Sequence, residues 1–125
     1  MFIRVASVLF LITSVAACGG YSSPSAPSTG PTTAPAGSTT VSIPTGASTQ
    51  TTAAFGQNPL TIPVGTTISW LNTDNVTHDA VADSGAWSSG NLATGGRFNF
   101  TFATAGRFTY HCQIHPNMVG TIVVQ

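Results

Sequence analysis

The chain has 125 residues, of which 5% are charged, with three Lys+Arg against three Asp+Glu and a formal net charge of zero. A basic stripe for nucleic acid is excluded, and so is a basic amphipathic helix for adsorption to lipid. The chemistry must lie in a few placed residues.

Arg4 gives a short positive start, an apolar run follows, and small residues Ala16-Ala17 precede Cys18. The run is too short to span a bilayer and reads as an export leader over residues 1–17. Val15-Ala16-Ala17-Cys18 also resembles a bacterial lipobox, which implies lipidation of Cys18 and a membrane anchor without a transmembrane helix. Residues 19–40 are almost wholly Ser, Thr, Pro, Gly and Ala. Such a segment offers too little apolar surface to offset ordering and is expected to be a disordered tether. As a coil it would span about 25 Å, or about 70 Å if extended like polyproline.

Residues 41–125 are left for one small domain. Ile68-Ser69-Trp70-Leu71, the alternating Phe98 to Phe102, Phe108 to Cys112, and Thr121 to Val124 read as strands. Turn signals at Pro63-Val64-Gly65, Ser84-Gly85, Ser89-Gly90, Gly95-Gly96 and Ala105-Gly106 separate short elements, which predicts an all-β sandwich or barrel. The period of two puts Phe98, Phe100 and Phe102 on one face, and Phe108, Tyr110 and Cys112 on another. A Phe-lined interior with the Cys at its end follows, and His111 points the other way. Trp70 and Trp87 are read as packing residues.

Cys112, His115 and Met118 carry the chemistry. A thiolate, an imidazole and a thioether at Cys-x2-His-x2-Met are the donors of a blue-copper electron-transfer site, with Met as the weak axial ligand. With Cys18 lipidated, Cys112 is the one remaining thiol of an exported domain, a position that calls for metal ligation or intermolecular pairing. A trigonal site needs a second imidazole, and the chain has three His. His78, in the loop after the Trp70 strand, is the natural choice. Bonds to both His78 and Cys112 would cross-link distant strands and add binding free energy to a small fold.

Asn72-x5-His78, with Gly106-x-Phe108-x-Tyr110-x-Cys112-x2-His115-Pro116-x-Met118-x-Gly120-x-Ile122-x-Val124, resembles the cupredoxin family of plastocyanins, pseudoazurins and amicyanins. The short ligand loop is most similar to that of amicyanin. The resemblance implies a Greek-key β-sandwich with one type 1 copper, His78, Cys112 and His115 equatorial and Met118 axial. It also implies a one-electron carrier, monomeric, that meets redox protein partners, and the leader with Cys18 places it outside the cytoplasm, at the periplasmic or extracellular face. The edge of His115 is the expected electron port, within an apolar rim formed by His115-Pro116-Asn117-Met118-Val119.

Two positions depart from the family pattern. Asp79 stands where small cupredoxins commonly carry an Asn that ties the two ligand loops together, and a carboxylate accepts hydrogen bonds without donating. Ile114 replaces a common Pro before the second ligand His, which predicts altered hydrogen bonding around the Cys sulfur. His111-Cys112 resembles the bridge by which nitrite reductases and multicopper oxidases pass electrons onward. Gln113 breaks the oxidase pattern, and no His is spare for a second centre, so a carrier is favoured over an enzyme. Copper storage or delivery would use the same ligands and stays open. A module that has lost its metal fits poorly with a complete ligand set.

Overall fold

The computed structural model describes residues 37–125; the leader, Cys18 and the tether up to residue 36 lie outside the described residues. Among the described residues seven strands form two sheets: β1 (Ser38–Ile43), β2 (Leu60–Ile62), β3 (Thr67–Asn72), β4 (Val81–Ala82), β5 (Arg97–Thr101), β6 (Gly106–His111) and β7 (Val119–Val124). One sheet has the order β1-β3-β5, the other β2-β7-β6-β4. Pairing is mixed in both, with β1 parallel to β3 and β2 parallel to β7, while β5, β6 and β4 run antiparallel to their neighbours. The result is the expected Greek-key β-sandwich. No helix among the described residues is long and apolar enough to cross a membrane.

The β1 strand begins three residues before the boundary expected from composition, since Ser38, Thr39 and Thr40 pair with Thr67, Ile68 and Ser69. The reason is physical. Thr is β-branched and suits a pleated edge, and Val41 and Ile43 behind it are buried, which fixes the register of the whole strand.

Aromatic rings fill the interior. Trp70 is fully buried and packs against Trp87 and Tyr110, each at 5.6 Å between ring centroids, and against Phe98 at 5.8 Å. Trp87 in turn meets Phe100 at 5.0 Å and Phe102 at 5.2 Å. Such pairs contribute about 0.5–1.5 kcal/mol each beyond area burial. Phe102, Tyr110 and Cys112 are buried, and Phe98, Phe100 and Phe108 pack partly buried against them, so the interior has the expected faces. Phe55, from a loop, joins them with its ring 4.7 Å from Tyr110.

Tyr110 fixes the end of β6 just before Cys112. It faces Gly120 across the β6–β7 pair, and a Cβ at Gly120 would lie 2.3 Å from Tyr110 Cζ. A glycine is required there because the phenol ring occupies the space of a side chain. Burial also pushes the Tyr110 phenol well above its ordinary range.

Candidate copper centre

Two loops meet at one pole of the sandwich. The first, between β3 and β4, carries His78; the second, between β6 and β7, carries Cys112, His115 and Met118.

His78 is fixed by its backbone, because its N–H donates to Leu92 O at 3.1 Å and its carbonyl accepts from Leu92 N at 2.7 Å. Asn72, fully buried, shapes the loop ahead of it. Its Nδ2 donates to Val76 O and Leu92 O, both at 2.8 Å, and its Oδ1 accepts from Asp74 N at 2.9 Å. On the second loop Cys112 leaves β6 and Met118 enters β7. Cys112 N donates to Met118 O at 3.1 Å, and Met118 N to His115 O at 2.9 Å, so the loop closes on itself.

The donors converge. Cys112 Sγ lies 4.0 Å from His78 Nδ1 and 3.8 Å from His115 Nδ1, and the two nitrogens are 3.2 Å apart. An ion bound in a trigonal plane at about 2.0–2.1 Å to nitrogen and about 2.3 Å to sulfur needs edges of about 3.5 Å and about 3.8 Å. The triangle has that size. Its donors, one soft sulfur and two imidazoles, are those that suit copper. His78 and Cys112 are fully buried and His115 is half-buried, so one ring alone reaches toward solvent. Met118 is fully buried.

Asp79 ties the loops together twice. Its N–H points at Cys112 Sγ at 3.5 Å, and its Oδ1 accepts from Gln113 N at 2.7 Å. The tether needs only an acceptor, so the carboxylate serves in place of an amide. Burial pushes the Cys112 thiol up, against the N–H groups of Asp79 and His115, which draw it down. A bound metal must therefore displace its proton.

One residue of the site was not singled out from sequence. Asp74 is buried, and its Oδ2 lies 2.9 Å from His78 Nε2, on the ring edge turned away from Cys112. The hydrogen bond from His78 holds its carboxyl below the usual range, burial opposes this, and the N–H groups of Asn75 and Gly46 assist. The Asp-x3-His spacing carries no signal outside a helix, where positions four apart do not share a face.

The expected rim is partly corrected. Pro116, Asn117 and Val119 are exposed, whereas Met118 is fully buried in a loop that closes on itself through Cys112 N to Met118 O and Met118 N to His115 O. Val76 and Ile114 are exposed apolar residues that flank His78 and His115 in the chain. His111 points away from the site as expected, with Nδ1 2.6 Å from Asp83 Oδ1 across the β4–β6 edge.

A β-sandwich that holds one thiolate and two imidazoles in a closed triangle at its pole defines a mononuclear copper protein. Residues 41–125 match the copper-binding proteins of the plastocyanin/azurin family, and the chain belongs to that family. Amicyanin from Paracoccus denitrificans is 31% identical over 71 residues, 53% of this chain and 54% of its own, so the chain spans about half the length of that relative. A purple cupredoxin from Nitrosopumilus maritimus has a similar structure, with a TM-score of 0.63 and 36% identity over 69% of this chain and 98% of its own. A copper(I) form of an amicyanin mutant gives a TM-score of 0.59 and 25% identity, covering 70% of this chain and 82% of its own.

Proposed function

We propose that this protein is a type 1 copper one-electron carrier, exported and held at a membrane surface through a lipid on Cys18. The observation that carries the reading is the buried Cys112–His78–His115 triangle with one ring, His115, reaching toward solvent. Copper, when bound, supplies a single electron by alternating between its Cu(I) and Cu(II) states. The residues supply everything else. Two strands and the Asp79 tether hold the donors in one arrangement, which limits the reorganisation that accompanies each electron. His78, Cys112 and Met118 lie out of water. Met118, on a loop bonded through its backbone to both Cys112 and His115, would supply a thioether as a fourth, weaker donor to the copper.

His115 is the port to a partner protein. Val76, Ile114 and Val119, each 38–44% exposed and each within two residues of His78, His115 or Met118 in the chain, would offer apolar side chains for brief contact with a partner. The pairing of His111 with Asp83 fits a strand residue and gives it no relay role. The Ser/Thr/Pro-rich segment ahead of the domain would let it stand off from the membrane toward soluble or membrane-bound partners.

The test is repeated reduction and oxidation of the copper-loaded protein in the presence of a copper(I) chelator. A carrier cycles reversibly and keeps its copper. Loss of copper(I) to the chelator on the timescale of turnover would replace this reading with copper delivery. Radiolabelled palmitate incorporated into the wild type and not into Cys18→Ser is expected for the anchor; equal labelling of both would refute it.

A further inference from the structure

The copper triangle leaves one buried charged side chain at the pole without a role. Asp74 is 1% exposed, and carboxylates are rarely buried unless paired. Its Oδ2 meets His78 Nε2 at 2.9 Å while Oδ1 accepts from Asn75 N at 2.7 Å. Its own N–H is anchored on Asn72 Oδ1, and Asn72 is anchored in turn on Val76 O and Leu92 O. Turning the carboxylate away would leave the buried His78 Nε2 without its partner, a group costly to leave unsatisfied.

Resting on the copper reading above, we propose that Asp74 is a positioning residue that acts through His78: it holds the ring in the Nε2–H tautomer, keeps Nδ1 free for copper, and lowers the reduction potential of the site. A neutral imidazole has one N–H and one lone pair, and an ionised carboxylate can only accept. Nε2 therefore carries the proton, and the lone pair of Nδ1 faces Cys112 Sγ and His115 Nδ1. A carboxylate behind a ligand imidazole raises the basicity of the ring. Cu(II) carries one more positive charge than Cu(I), so a fixed anion nearby favours the oxidised state, and burial keeps solvent from screening it. The two imidazoles are thereby made unequal: His78 is buried against a carboxylate, and His115 is half-exposed.

The experiment is voltammetry of the copper-loaded full chain as wild type, Asp74→Asn and Asp74→Glu, with thermal melting of each alongside. Asn keeps the shape and loses the charge; Glu keeps the charge and disturbs the packing. A group that merely caps the loop would move the melting temperature and leave the potential alone. The proposal expects the Asn variant to lose about tenfold or more of its preference for Cu(II) over Cu(I), a rise of about 59 mV per tenfold for one electron, with the Glu variant nearer the wild type. An Asn variant with the wild-type colour and an unchanged potential would overturn the role of Asp74 and leave the copper site standing. Should the variant fail to fold, nitrogen-15 NMR of the wild-type apoprotein decides: a proton on His78 Nε2 supports the proposal, and one on Nδ1 overturns it. A wild type without strong charge-transfer colour would instead sink the copper reading, while the apoprotein spectrum would still report the tautomer.

Discussion

The two imidazoles of the pole sit in opposite surroundings. His78 is fully buried, bridged to Leu92 through its backbone and bonded to Asp74 through the far side of its ring. His115 lies on a loop whose flanking residues Ile114 and Pro116 are exposed, and its own ring is half-buried. One side of the site is a fixed wall and the other is a door. A carrier needs both, because a braced ligand limits reorganisation while a ligand at the surface shortens the path to a partner.

The largest test of that contrast removes donors. Cys112→Ser should abolish the intense colour of the copper(II) protein altogether. His115→Ala and His78→Ala should each lose it, but added imidazole should restore it in the first, where the vacated space opens to solvent, and not in the second; equal rescue would break the contrast. The frame can then be separated from the site with Gly120→Ala. Its Cβ would collide with the Tyr110 ring, at 2.3 Å from Cζ. Overpacking of this kind costs about 1–3 kcal/mol, so a lower midpoint in urea is expected, with the colour kept by the folded fraction.

Asp79→Ala should remove the acceptor for Gln113 N and destabilise by about 1–2 kcal/mol through loss of a part-buried hydrogen bond to a charged group. Copper(I) should then pass to a chelator faster than from the wild type. Asp79→Asn, which keeps an acceptor, should behave nearly as the wild type in both assays. The smallest effect belongs to the surface. Thr109 and then His111 hold the Asp83 carboxyl below its ordinary value by hydrogen bonding. Its contribution is therefore present above the ordinary carboxylate value and is lost as the pH falls through the lowered one. Being half-exposed, the pair is worth less than about 1 kcal/mol, and Asp83→Asn should remove that acid-side dependence and little else when urea midpoints are compared across pH.

Much of this site is written in the sequence because its chemistry is local. Cys112, His115 and Met118 share one loop, and the alternation Phe108, Tyr110, Cys112 says which way the sulfur points. Strands β3, β5, β6 and β7 are legible because aromatic and β-branched residues alternate with polar ones. By contrast β1 is hidden: Ser38 to Ser42 continue the Ser/Thr composition of the segment before them, and only pairing with β3 reveals a strand. At two residues, β4 is too short to carry a period. Asp74 was invisible for a different reason. Its partnership with His78 depends on the path of an irregular loop set by Asn72, which no periodicity describes. The departure at Asp79 is accommodated because the tether asks its side chain for an acceptor alone.

Most direct for the central claim is the visible absorption spectrum of the purified protein during titration with copper(II). An intense blue colour should saturate at one equivalent, bleach with ascorbate and return on reoxidation. A colourless or merely pale product, the spectrum of copper held by nitrogen and oxygen alone, would contradict it.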